Sequence, residues 1–243
     1  MKLLLTVFIS LGMLSAFAQK APKPTQADIS YGSHERNKMD FWKANSSKPT
    51  PVLIYFHGGG FKSGDKSKIN KHFKISHYLN KGVSFITVNY PFFKHTNNNH
   101  EKIYEHCNDA IEYIKKNSSS WNIDLNKMTL SGASAGALIS QYLGFRRTDI
   151  NSIAAFAQPY GTKYFVIPYI KKSSPPIMIY QDSPLTDKVH HPKYANMVKE
   201  TCDKNKSECI IYGTGENSIQ ALPEGKEYKE VMMNFLFEKW SIK

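Results

Sequence analysis

The chain has 243 residues, of which 41% are hydrophobic and 13% aromatic, a composition that supports a folded core and excludes a wholly disordered chain. Its 32 Lys and Arg against 20 Asp and Glu give a formal net charge of +12. Only three of these basic residues are arginines and the lysines are scattered, so the charge indicates a lysine-rich surface and not a nucleic-acid-binding protein.

The first segment, Met1–Ala18, is typical of a signal peptide. Lys2 supplies the positive charge, the apolar stretch from Leu3 to Phe17 follows, and Ala16–Ala18 has the small-x-small pattern of a cleavage site. We therefore expect an exported protein, periplasmic or secreted. No later apolar run is long enough to cross a bilayer, so we expect no stable membrane anchor.

Short apolar runs alternate with amphipathic segments along the rest of the chain. Strands are predicted at Val52–Phe56, Val83–Val88, Met128–Leu130, Ile153–Phe156, Ile177–Tyr180 and Cys209–Tyr212, and an antiparallel hairpin at Ile29–Tyr31 and Met39–Trp42. Helices are predicted near Ile69–Asn80, Glu101–Lys116, Ala135–Phe145, Lys193–Cys202 and Lys226–Trp240. This alternation predicts an α/β protein, with a mostly parallel sheet flanked by helices on both faces, in a single domain over residues 19–243.

Two polar runs and the cysteines complete this outline. The runs Asn97–Asn99 and Ser118–Ser120 are predicted to be surface loops. Cys107 lies in an apolar stripe at helical spacing and is predicted to be a buried thiol. Cys202 and Cys209 are candidates for a disulfide that closes a short loop, because export would permit such a bridge.

The run Gly132–Gly136 has the pattern G-x-S-x-G. It lies between the predicted strand at Met128–Leu130 and the predicted helix at Ala135–Phe145. This strand–turn–helix context is the one in which the pattern forms a nucleophile elbow, a sharp turn that exposes the serine hydroxyl. Ser134 is therefore a candidate nucleophile.

A second motif, His57–Phe61, reads His-Gly-Gly-Gly-Phe and directly follows the predicted strand Val52–Phe56. Consecutive glycines leave backbone N–H groups uncovered by side chains, and such donors can stabilise an oxyanion. We predict a functional role for the glycines and a structural role for His57.

Together these motifs resemble those of α/β-hydrolases, in the esterase branch that includes hormone-sensitive-lipase-like enzymes and Bacteroidetes feruloyl and acetyl esterases. The resemblance covers nearly all of the predicted mature chain. It implies an acyl-enzyme formed at Ser134 and an oxyanion hole made by the N–H groups of Gly59, Gly60 and Ala135. We expect no cofactor and no metal ion.

The resemblance also implies an acid and, after it in the chain, a histidine. The acid should follow the strand Ile177–Tyr180, where Asp182 and Asp187 are candidates and Asp187 is preferred. The histidine should follow the last strand, but Glu216 stands at that position and no histidine occurs after His191.

His190 and His191 are the candidate substitutes, because they lie just past Asp187, and His191 is taken as the site residue. A serine hydroxyl is a poor nucleophile unless a base removes its proton, so the missing late histidine leaves two functions open. One is an exported serine ester hydrolase acting on acyl esters, small or carbohydrate-linked. The other is a binding protein on the same fold that has lost catalysis, as Glu216 suggests.

The expected substrate is a small-molecule or polysaccharide ester. Residues 157–176 form too short a segment for a lid domain, which favours an open cleft and a bulky substrate. Aromatic residues after the strand ends are candidates for a platform that binds a sugar or aryl group: Phe61, Phe92, Phe93, Tyr160, Tyr164, Phe165 and Tyr169. The oligomeric state is not determined by the sequence.

Overall fold

The computed structural model describes residues 21–242, so the predicted signal peptide, Met1–Ala18, lies outside the described residues. Its strands are β1 (Gln26–Ser30), β2 (Lys38–Trp42), β3 (Thr50–Phe56), β4 (Ser84–Val88), β5 (Ile123–Ala133), β6 (Ser152–Phe156), β7 (Ile177–Gln181), β8 (Cys209–Gly213) and β9 (Gln220–Ala221). Its α-helices are α1 (Ile75–Asn80), α2 (His100–Trp121), α3 (Ala135–Arg146), α4 (Thr162–Phe165), α5 (Lys193–Asn205) and α6 (Tyr228–Trp240). Short 3-10 helices lie at Lys66–Lys71, Phe93–His95 and Ile167–Tyr169.

The nine strands form one sheet in the order β1-β2-β4-β3-β5-β6-β7-β8-β9. The strands from β4 to β9 in this order pair in parallel, whereas β2 is antiparallel to both β1 and β4. The antiparallel pair at the edge is the predicted hairpin. Because the parallel strands all end at the same edge of the sheet, the loops that follow β3, β5, β6 and β7 meet there.

Helices cover both faces of the sheet, and β3 shows how the sequence specifies this. Val52, Ile54 and Phe56 face a core shared with α2, α3 and α5, whereas Leu53 and Tyr55 face a second core shared with α1 and α6. Every residue of β3 is buried, as expected for a central parallel strand that is apolar on both sides.

Two helix predictions differ from the structure. The segment predicted as one helix over Ile69–Asn80 is divided into the 3-10 helix Lys66–Lys71 and α1, with Phe73 buried in the turn between them. The run Ser118–Ser120 is not a loop but part of the last turn of α2. The helix continues because Trp121 is buried and stacks on Phe41, with ring centroids 4.6 Å apart.

The three cysteines are all buried free thiols. Cys107 lies within α2, as predicted. Cys202, near the end of α5, and Cys209, at the start of β8, are close enough for each to alter the pKa of the other, but both are free thiols. The predicted bridge is therefore absent from this structure, although the two residues do meet where the sequence placed them.

A charged cluster joins α2 to the loop that precedes β6. Asp149 accepts hydrogen bonds from Arg147 at 2.8 and 2.6 Å and from Lys115 of α2 at 2.6 Å. Partial burial alone would raise the pKa of Asp149, but these hydrogen bonds outweigh it and lower the pKa to about 2. Asp149 therefore remains ionised, and the cluster intact, at ordinary pH.

We expect Asp149→Asn to lower the free energy of unfolding by about 1 kcal/mol at neutral pH, since the cluster is partly solvent-screened. Because the folded pKa lies below the unfolded value of about 3.9, this stabilisation is complete above pH 4 and is lost as the pH falls through about 2. Urea unfolding of both proteins between neutral pH and pH 2 measures the difference. A difference that stays constant over this range would contradict the assignment.

Candidate active site

Ser134 lies at the turn between β5 and α3, at the carboxyl edge of the sheet. Its backbone has φ 53° and ψ −117°, a strained conformation for a residue with a side chain. The Ser134 N–H donates to the Phe156 carbonyl of the neighbouring strand at 2.9 Å. A Cβ at Gly136 would lie 2.0 Å from the Phe56 carbonyl oxygen, so the close approach of α3 to β3 requires glycine there. The geometry is that of the predicted elbow.

His190 approaches Ser134 from the loop after β7. Its Nε2 lies 2.9 Å from Ser134 Oγ, and its Nδ1 lies 3.2 Å from Asp187 Oδ2. The other carboxylate oxygen of Asp187 accepts the N–H groups of Val189 and His190 at 2.8 and 2.9 Å. A hydroxyl, an imidazole and a carboxylate therefore form one hydrogen-bonded series.

The Asp187 carboxylate determines which imidazole nitrogen carries the proton. The hydrogen bond from the His190 backbone N–H, followed by that from Val189, lowers the pKa of Asp187. The ionised carboxylate can only accept hydrogen bonds, so His190 Nδ1 is the donor and Nε2 is left to accept from Ser134. This tautomer is the one that a general base for Ser134 needs.

The prediction that placed His191 in the site is wrong, because His190 occupies that position. His191 Nδ1 instead accepts the backbone N–H of Lys193 at 3.0 Å, at the start of α5. The two adjacent side chains point in different directions in this loop, and the one that contacts Ser134 is that of His190. The preferred acid, Asp187, does contact the histidine.

Glu216, which stands where the late histidine was expected, is exposed in the loop after β8. Its backbone N–H donates to Thr214 Oγ1 at 3.3 Å, and it lies outside the set of described residues that line the cleft at Ser134. Asp182, the other candidate acid, is exposed directly after β7. The loop after β7 thus supplies both the acid and the histidine, and the loop after β8 supplies neither.

The predicted oxyanion donors lie beside Ser134. Gly59 and Gly60 line the same cleft, with positive φ values of 118° and 60°. Ala135 is the first residue of α3, where a helix leaves its N–H without an intrahelical acceptor. Within residues 21–242, the N–H groups of Gly59 and Gly60 donate to no backbone or side-chain acceptor. They are available to a ligand.

His57 has the structural role that the sequence predicted. Its ring is buried and stacks on Tyr90, with centroids 4.3 Å apart, while Nδ1 lies 2.7 Å from the Gly58 carbonyl oxygen. Burial lowers the pKa of His57 to about 4, so the ring stays neutral at ordinary pH. The contacts of His57 with Tyr90 and Gly58 therefore stabilise the backbone of the glycine loop.

The cleft at Ser134 has a volume of about 520 Å³, and its lining includes Lys68, Lys71, His72 and Val189. Of the aromatic residues suggested as a platform, Phe61 and Phe92 are buried, whereas Tyr160 and Tyr164 are 66% and 71% exposed.

In the described part of the chain, no group of three or more His, Cys, Asp or Glu side chains is placed to bind a metal ion. No helix in that part is both long and apolar enough to cross a membrane.

A known protein family has a sequence model that matches the part of the chain containing the glycine loop and the elbow. Residues 39–165, just over half of the chain, match the model of the family named BD-FAE. The chain belongs to the BD-FAE family. The matched region contains the glycine loop and the elbow of this BD-FAE protein, but it ends before Asp187 and His190.

Curated relatives of this BD-FAE protein match over shorter regions. It is 29% identical over 117 residues to mouse arylacetamide deacetylase-like 4 family member 1 and 29% identical over 115 residues to gut esterase 1 of Caenorhabditis elegans. These matches cover 46% and 44% of the chain. The chain spans only 28% and 20% of the length of those two relatives.

Solved structures resemble the BD-FAE protein over almost its whole length. A truncated form of a carbohydrate esterase from gut microbiota has a TM-score of 0.73 and 14% identity, and covers 92% of this chain and 100% of its own. An esterase from Thermogutta terrifontis has a TM-score of 0.72 and 15% identity, and covers 92% and 96%. The chain therefore has the α/β-hydrolase fold, which confirms the predicted fold class.

Proposed function

We propose that this protein is a serine ester hydrolase whose acid and base both come from the loop after β7. The observation that carries the proposal is the 2.9 Å contact of Ser134 Oγ with His190 Nε2, supported by Asp187 at 3.2 Å. The idea of a binding protein without catalysis depended on Glu216 at the histidine position. The contact between His190 and Ser134 favours the hydrolase over the binding protein.

The arrangement supports an acyl-enzyme mechanism. His190 Nε2 takes the hydroxyl proton as Ser134 Oγ bonds to the ester carbonyl carbon, and the carbonyl oxygen becomes an oxyanion. The N–H groups of Gly59, Gly60 and Ala135 donate to that oxyanion. Asp187 stabilises the imidazolium, which carries one proton more than the resting ring.

Collapse of this tetrahedral species breaks the bond to the alkoxide. The alkoxide takes the proton from His190 Nε2 and leaves as an alcohol, while the acyl group stays on Ser134. A water molecule then gives a proton to His190 and attacks the acyl carbon. The second collapse releases the carboxylic acid and returns the proton to Ser134.

We further propose an ester of a carbohydrate as the natural substrate class, acted on outside the cytoplasm. The exposed tyrosines Tyr160 and Tyr164 are available to stack on a sugar ring, and one similar structure is described as a carbohydrate esterase. The signal-peptide pattern of Met1–Ala18 supports export to the periplasm or the medium. We propose a single domain over residues 19–243.

A fluorophosphonate probe, which labels only activated serines, tests the proposed nucleophile. We expect the protein to be labelled at neutral to mildly alkaline pH and Ser134→Ala not to be labelled. Ser131→Ala is the matched control, because it removes the hydroxyl of a serine three residues earlier, within β5, that donates to the Ala154 carbonyl oxygen. Absence of labelling in the parent protein at every pH from about 5 to 9 would rule out the proposal.

A further inference from the structure

Gln181, the last residue of β7, lies fully buried beneath the loop that carries Asp187 and His190. Its Oε1 accepts the backbone N–H of Gln158 at 2.6 Å. Its Nε2 donates to the backbone carbonyl oxygen of His190. One side chain thus joins the end of the sheet to the histidine that faces Ser134.

The two partners determine the orientation of the Gln181 amide. A backbone N–H can only donate and a carbonyl oxygen can only accept, so the amide oxygen must face Gln158 and the amide nitrogen must face His190. A carboxylate lacks the donor, and an apolar side chain lacks both groups. Either replacement leaves a polar group without its partner in a buried place.

The hydrogen bonds continue from Gln158 to the helix that begins after Ser134. Gln158 Oε1 accepts from Gln141 of α3 at 2.5 Å, and Gln158 Nε2 donates to Thr162 Oγ1 at 2.8 Å. Like Gln181, these three side chains are fully buried. The series therefore links the helix behind the nucleophile with the backbone of the proposed base.

The bonds from Asp187 cannot hold His190 at Ser134, because Asp187 lies on the same loop and moves with it. The loop needs hydrogen bonds to other elements. Gln181 provides one from β7, and the Tyr160 N–H provides another by donating to the Val189 carbonyl oxygen at 2.9 Å. Within residues 21–242, these two hydrogen bonds join the backbone of Val189 and His190 to the sheet and to the loop after β6, while Tyr194 of α5 donates to the flanking Lys188 and His191 carbonyl oxygens.

We propose that Gln181 is a positioning residue that sets the distance between His190 and Ser134, as the member of the Gln141–Gln158–Gln181 series that contacts the His190 backbone. The proposal rests on the proposed hydrolase function, in which His190 is the base. Displacement of a base by about 1 Å can reduce a rate by roughly 10²-fold, so the loss of this support is expected to be large.

Gln181→Met tests the proposal, because methionine has a similar length but has no donor for the His190 carbonyl oxygen and only a weakly accepting sulfur for the Gln158 N–H. We expect the rate of fluorophosphonate labelling and kcat to fall by roughly 10²-fold in folded protein, with a smaller change in KM. The pH at which labelling is half-maximal should also shift. If Gln181→Met does not fold, Gln181→Glu takes its place, since it keeps the volume and the acceptor for Gln158. Its ionised carboxylate has no donor for His190, so labelling is compared at a pH at which this carboxyl is ionised.

Ser152→Ala is the matched control. It removes a fully buried hydroxyl that bonds Thr129 Oγ1 at 2.6 Å, at the end of β6 opposite to the site. It should lower Tm without changing the labelling rate or its pH profile. A labelling rate in the Gln181 variants that matches the parent protein would overturn the proposal.

NMR signals of the His190 ring, assigned by their loss in His190→Ala, give a readout that does not need activity. We expect the Gln181 variants to change the chemical shifts of this ring, while Ser152→Ala leaves them unchanged. If the chemical shifts of the His190 ring change in the Gln181 variants but the fluorophosphonate does not label the parent protein, the positioning role is supported and the hydrolase function is rejected. If these chemical shifts do not change, only the positioning role is rejected.

Discussion

His190→Ala is expected to reduce kcat/KM for ester hydrolysis by about 10³-fold or more, whereas His191→Ala should leave it unchanged. The physical reason is that His190 Nε2 is the nitrogen in contact with Ser134 Oγ, at 2.9 Å. The neighbouring ring of His191 accepts only the N–H of Lys193, at the start of α5. Hydrolysis of p-nitrophenyl acetate by the purified variants measures the difference.

These two variants are a matched pair, since they remove the same side chain from adjacent residues of one loop. Thermal unfolding shows whether either variant has lost its fold, and only folded protein counts in the comparison. A large decrease in kcat/KM with His191→Ala, and none with His190→Ala, would contradict the assignment of His190 as the base.

Glu216→His in the His190→Ala protein is a further control on the position of the base. Glu216 is exposed and lies outside the cleft lining of the described residues, so a histidine there should not restore hydrolysis. Recovery of activity would show that the loop after β8 can reach Ser134. The base would then have two possible positions on this fold.

Gly136→Ala is expected to lower the free energy of unfolding by roughly 3–5 kcal/mol. The added Cβ would lie 2.0 Å from the Phe56 carbonyl oxygen and 2.9 Å from that of His57. Both are backbone atoms at the end of β3, so no side-chain rotation relieves the overlap. The helix α3 must move away from the sheet, and Ser134 must move with it.

Gly144→Ala is the control, because it adds the same methyl group to the same helix. Its Cβ would meet Cδ1 of Ile153 at 2.6 Å, and the end of a flexible side chain can move. Alanine also favours a helix over glycine by about 1 kcal/mol, so we expect a net change of about 1 kcal/mol or less. Equal losses in urea unfolding of the two variants would contradict the argument from backbone contact.

Much of the fold could be predicted because its elements depend on local patterns. The strand β3 is a continuous apolar run, and α2 has an apolar stripe at helical spacing, so neighbours in the sequence are enough to identify them. The prediction failed where a tertiary contact decided the outcome. Packing of Trp121 on Phe41 extends α2 through its serine run, and no local pattern contains that contact.

The site divides in the same way. Ser134 and the proposed oxyanion glycines lie in short motifs whose geometry arises within a few residues, so the sequence was sufficient to propose them. No sequence pattern indicated a role for Gln181, because an isolated glutamine at a strand end resembles any polar residue that begins a loop. Its burial and its two backbone partners exist only in the folded chain.

The sequence by itself determined the fold class and the elbow at Ser134, because periodicity and sharp turns are properties of local chain geometry. Only the tertiary structure decided that His190 and not His191 faces the serine. The choice depends on the path of the loop after β7, which is held by Gln181 of the sheet and by Tyr160 after β6. These contacts join residues that are distant in the chain, so two adjacent histidines that look equivalent in the sequence receive different positions.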